Sequence, residues 1–150
     1  MVDFNIDRIA FLIHGFAEKP KEEVLEVGAK EIKKLSCLLS KLNPTKNSFE
    51  TIKILLSFLA NVDSNIKPHQ VDFLYDYCLK FQAKRNRNVI MQDFESAKFH
   101  YREEIIFSFC KMSDEIKDEV FSLALCFYTY GGHMPSEKEI EMIRKIDAVK

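Results

Sequence analysis

The sequence predicts an all-α fold: a single-domain bundle of about seven helices with a weak internal helix–loop–helix duplication. Three observations carry this. The chain has only four Gly and four Pro in 150 residues, too few for the frequent turns of a sandwich or barrel. It is 47% hydrophobic, with 13 Phe and 5 Tyr, enough apolar surface to offset chain entropy and exclude a disordered chain. Apolar residues recur at spacings of three and four over most of its length, the helical period. No linker or low-complexity stretch interrupts residues 1–150, so one domain is expected.

The elements follow in order. A first helix is expected from near Asp3, with Ile6, Ile9, Ala10 and Ile13 inward and Gly15 and Pro20 closing it. Pro20 opens a second, placing Glu22 and Glu23 in its first turn against the helix dipole. Its stripe is Leu25, Gly28, Ile32, Leu35, Leu39 and Leu42, with Gly28 permitting close helix approach, and Asn43-Pro44 ends it. Asn47 or Ser48 caps a third helix, apolar nearly all round from Ile52 to Val62 and therefore central. Pro68 opens a fourth, with Val71, Leu74, Tyr75, Cys78 and Phe81 inward. After a polar, basic stretch over 83–92, one helix is expected from near Asp93, or earlier, through Met112. Its aromatic set is too dense for a single stripe: Phe94, Tyr101, Ile105 and Phe109 share a face, while Phe99, Ile106 and Phe107 fall elsewhere. That predicts burial on two sides, or a partner on one. Ser113 caps the next helix, with Asp114 and Glu115 in its first turn and Gly131-Gly132 at its end. Ser136 and Glu139 form a capping box for the last, carried by Ile140, Ile143 and Ile146.

Charge and cysteines narrow the class. Lys plus Arg is 22 against 23 Asp plus Glu, a net charge of −1, which gives no general attraction to nucleic acid or anionic lipid. The short basic cluster Lys80, Lys84, Arg85 and Arg87 is diluted by Asn86 and Asn88 and reads as a solvated helix end. Cys37, Cys78, Cys110 and Cys126 form no CxxC pair. Each lies in an apolar stretch, so buried free thiols and a reducing compartment are expected. The start of the chain lacks a basic n-region, and no window approaches 18 uncharged apolar residues. A cytoplasmic location without membrane insertion is the expectation.

Two segments share a plan of apolar helix, short polar loop, apolar anchor and capped amphipathic helix. Leu55–Leu59 leads through Asp63-Ser64-Asn65-Ile66 to Pro68, Val71 and Leu74. Leu123–Phe127 leads through Gly131-Gly132-His133-Met134 to Glu137, Ile140 and Ile143. The loops read Val62-Asp63-Ser64-Asn65-Ile66-Lys67-Pro68-His69-Gln70 and Tyr130-Gly131-Gly132-His133-Met134-Pro135-Ser136-Glu137-Lys138-Glu139. On these residues the chain, over about 25–147, resembles the tellurite-resistance TerB-like family, a seven-helix bundle with two such units. The resemblance implies adjoining loops, a stress-associated role and an acidic metal cluster. Only Asp63 and Glu139 match that cluster, with Gln70 and Gly131 standing where the family has acids, so a tight divalent-cation site is not expected.

No catalytic motif is present: there is no HExxH, GxGxxG, Walker loop or GxSxG. The carboxylate pairs Asp72/Asp76 and Glu103/Glu104 read as helix surface. The function expected is non-enzymatic binding of a protein partner through the paired loops, with Asp63, Asn65, His133 and Glu139 as the contact residues. No nucleic-acid partner and no cofactor are expected, and a homodimer is a further option. Two alternatives stand beside it. One is a divalent-metal protein with Asp63, His69, His133 and Glu139 as weak ligand candidates. The other is a small helical enzyme with a pocket in the bundle.

Overall fold

The computed structural model describes residues 8–44, 47–82 and 84–150. Among them are eight helices and no strand: α1 Arg8–Glu18, α2 Lys21–Leu42, α3 Ser48–Ala60, α4 Pro68–Phe81, α5 Arg87–Ala97, α6 Glu103–Cys110, α7 Asp114–Thr129 and α8 Glu137–Ala148. The expected cap at Asp3 and the inward Ile6 lie outside the described residues.

The helix starts obey local chemistry. Asn47 Oδ1 accepts the backbone N–H groups of Phe49 and Glu50, Ser113 accepts that of Ile116, and Ser136 that of Glu139. Each satisfies a donor that has no partner within its helix. Pro20 precedes α2 and Pro68 begins α4, where a missing N–H costs nothing. Gly131 and Gly132, both at φ near +80° (80° and 84°), turn the chain sharply after α7.

The helix expected over 93–112 is two helices, and this corrects the count to eight. The buried stripe of α5 is Ile90 and Phe94, and that of α6 is Ile106 and Cys110. At 3.6 residues per turn, a straight helix would set Ile106 about 120° around from Phe94. One rod cannot aim both stripes at one core, so the chain breaks at 98–102. Arg102 becomes extended (φ −146°), and Tyr101 packs edge-on against Phe58 at 6.0 Å. Phe99 lands in the break and is 86% exposed, and Ile105, expected inward, is exposed. α1 likewise runs through Gly15 to Glu18 rather than ending there.

α7 lies at the centre and packs against α1, α2, α4, α6 and α8, most extensively against α2. Its last seven residues, Leu123 to Thr129, are all buried. α3 is buried continuously from Leu55 to Ala60 and faces α2, α5 and α6. Where α2 meets α4 and α7 sits Gly28. A Cβ there would stand 2.6 and 2.8 Å from the Phe73 ring and 3.6 Å from Cys126 Cβ. The expected close approach is therefore present, and Phe73 occupies the space. Cys78, Cys110 and Cys126 are buried, but Cys37 is exposed. On α2 it sits about 200° around from Leu35, off the buried stripe. Leu42, at the end of that stripe, is exposed as well.

Candidate functional site

The loops after α3 and after α7 meet at one end of the bundle, although 68 or 69 residues separate their matching positions. Local sequence shapes each. Asp63 Oδ1 accepts the Asn65 N–H at 3.1 Å, a side-chain-closed turn that supports Ser64 at φ 63°. In the second loop the two glycines take the positive φ values. α4 and α8 then begin side by side, each with a glutamine or glutamate reaching back to its own cap. Gln70 Oε1 accepts from Lys67 N at 3.5 Å, and Glu139 Oε1 from Ser136 N at 2.9 Å.

Side chains lock the loops together. The Lys67 ammonium donates to Asp63 Oδ2 and to Glu139 Oε2, the latter at 3.0 Å. Gln70 Nε2 donates to the same Glu139 oxygen at 2.7 Å, and Ser136 Oγ to Asp63 Oδ2 at 2.7 Å. Glu139 and Gln70 are buried, at 1% and 0% exposure. The His69 and His133 rings stack at 3.9 Å and 9°, and His69 Nε2 bonds the Tyr128 carbonyl at 3.2 Å. Tyr128 in turn donates its hydroxyl to Leu59 O at 2.7 Å, back in α3. A pocket of about 380 Å³ lies between the loops, bordered by Lys67, His69, Asp72, His133, Met134 and Ser136.

Electrostatics follow from this wiring. Burial pushes the Asp63 carboxyl up, but hydrogen bonds from Lys67, Ser136 and the Asn65 amide, with the Lys67 charge, outweigh it and hold it below its usual value. Burial, then the neighbouring His133 and Lys67, depress the His69 imidazole to about 4, against the opposing bond to Tyr128 O. His69 is therefore neutral at pH 7.

The four residues expected at the contact surface are brought to one end of the molecule but are not equivalent. Asn65 and His133 are exposed, Asp63 is half-buried, and Glu139 is inside. A residue 1% exposed cannot meet a partner without the loops opening, so Glu139 is a lock rather than a contact. Sequence reasoning missed Lys67 as a participant and gave Ser136 only a capping role. The signal was present: a lysine four residues after Asp63, and a capping box that fixes where Glu139 sits.

The metal alternative meets a physical obstacle. All four oxygens of Asp63 and Glu139 already accept hydrogen bonds, and a lysine ammonium stands between the carboxylates. A hard cation needs several such oxygens free. Among the described residues no group of three or more His, Cys, Asp or Glu side chains is arranged to hold a metal. The donor set does not fit a resident divalent ion.

The candidate carboxylates Asp72 and Asp76 and the arginines of the basic cluster have partners of their own. Arg87 binds Asp72 at 2.8 Å, Arg85 binds Glu50 at 3.0 Å, and Asp76 accepts from Tyr130 Oη at 2.5 Å. No described helix is long and apolar enough to cross a membrane. No family model matches the chain, and no curated protein or solved structure matches it either.

Proposed function

We propose that the protein acts by binding, and that the paired-loop end is a docking platform for a protein partner. The observation that carries this is the lock itself. Lys67, Gln70, Ser136, Asp63 and Glu139 join two distant loops into one rigid surface, and preordered surfaces bind with less entropic loss. On its outside lie Asn65, His133 and Met134, the last 51% exposed. The surface differs from the acidic one that the TerB-like resemblance implies, because Glu139 is buried and Lys67 pairs with both carboxylates. The matching cap arrangements of α4 and α8, 69 residues apart, support reading the two halves as a duplication. A stress-associated role rests on the resemblance alone.

The test is comparative cross-linking from cell extract. Wild type, the double variant Asn65→Arg/Met134→Glu, and the control Phe99→Ser serve as baits. Proteins captured by wild type and by the control, and lost from the loop variant, are the expected result. Identical captures on all three baits would move the docking surface elsewhere.

A further inference from the structure

A second pocket, away from the loops, lies between α2, the start of α3 and the end of α4 and encloses about 310 Å³. That is the low end of small-molecule sites. One wall is aromatic. Phe49 and Tyr77 stack at 5.9 Å and 20°, and Phe81 continues the wall 5.5 Å from Tyr77 at 34°. Arg85 lies over the Phe49 ring at 5.3 Å and is held by Glu50. The opposite wall is one face of α2: Ala29, Lys33, Ser36 and Cys37 recur at helical spacing.

Two donors here, Lys33 and Ser36, are unspent among the described residues. Lys33 is the only charged side chain lining the pocket, and it has no ion-pair partner among the described residues. Ser36 makes no side-chain hydrogen bond among them. Tyr77 is 5% exposed, and its hydroxyl oxygen accepts from Gln82 at 3.5 Å. No carboxylate lines the pocket. An aromatic wall opposite an unpaired ammonium selects a flat apolar body bearing negative charge. Phe81 and Cys37 are exposed, so the pocket opens to solvent.

We propose that this pocket binds a small planar aromatic carboxylate, its ring against Phe49, Tyr77 and Phe81 and its carboxylate on Lys33. Titrating the full chain with 2-naphthoate, read by backbone amide shifts, tests this. Saturable shifts at Ala29, Ser36, Phe49 and Tyr77 are expected. Lys33→Gln should weaken binding about fivefold, the scale of a solvent-accessible ion pair. Phe81→Ala, also at an exposed position, should weaken it about two- to tenfold through the lost ring contact. The neutral isostere 2-naphthamide should bind wild type about fivefold less tightly and ignore Lys33→Gln. Absence of saturation at millimolar 2-naphthoate would overturn the assignment. So would equal affinity for Lys33→Gln, or saturable shifts confined to the paired loops or to the surface around Leu42 and Met112.

Discussion

His69 shows how one side chain reports the state of the paired loops. Its ring is stacked on His133, bonded to the Tyr128 carbonyl and close to the Lys67 charge, so the folded chain resists protonating it down to about pH 4. The unfolded chain takes up that proton near the ordinary value of about 6.5. Stability from this group is therefore full above pH 6.5 and is lost as the pH falls toward 4. The ring is partly open to solvent, so the loss expected is about 1–2 kcal/mol rather than the full value of the shift. Urea unfolding at pH 7.5 and 4.5 should show wild type losing that much more than His69→Gln. Parallel losses would mean that the stacked pair carries no such penalty. In the sequence His69 and His133 were legible only as weak ligand candidates on adjoining loops, not as a stacked pair. His69 and His133 lie 64 positions apart, and only the meeting of the two loops makes them neighbours.

At the scale of elements, local chemistry read well and breaks without punctuation did not. Asn47, Ser113, Ser136, Pro20, Pro68 and the Gly131-Gly132 pair announce their helix ends because each acts on the backbone beside it. The α5–α6 break has no glycine or proline. It is imposed by two buried stripes that one rod cannot satisfy, a tertiary demand visible in the sequence only as an overcrowded aromatic face. The break predicts opposite outcomes for two phenylalanines five residues apart. Phe94→Ala, at 0% exposure, should cost about 3–5 kcal/mol, and Phe99→Ser less than about 0.5. Similar costs in denaturant unfolding would favour a continuous helix. The crossing of α2 with α4 gives a second test. Gly28→Ala gains about 1 kcal/mol of helix propensity but drives a methyl into the Phe73 ring. Overpacking in a full core costs about 1–3 kcal/mol, so net destabilisation is expected. An unchanged or raised midpoint would show that Phe73 moves aside freely.

Across the whole molecule, α7 organises the core and the two loops form one end. The helical class was legible from composition and period, because both reflect burial. The wiring of the candidate site was legible only in part. Asp63 and Glu139 stood out as carboxylates, yet Glu139 is buried and Lys67 fills the gap between them, since two carboxylates brought together repel unless a cation stands between them. That internal balance is the central claim, and a double-mutant cycle tests it most directly. Unfolding free energies of wild type, Lys67→Met, Glu139→Gln and the double variant give the coupling between side chains 72 positions apart. Losing one partner of a buried pair strands the other, so the single variant Lys67→Met should lose about 2–4 kcal/mol. The account predicts a coupling of at least about 1 kcal/mol, the double variant being less destabilised than the sum of the two single ones. Strictly additive losses would contradict it, because the two loops would then be adjacent without being joined.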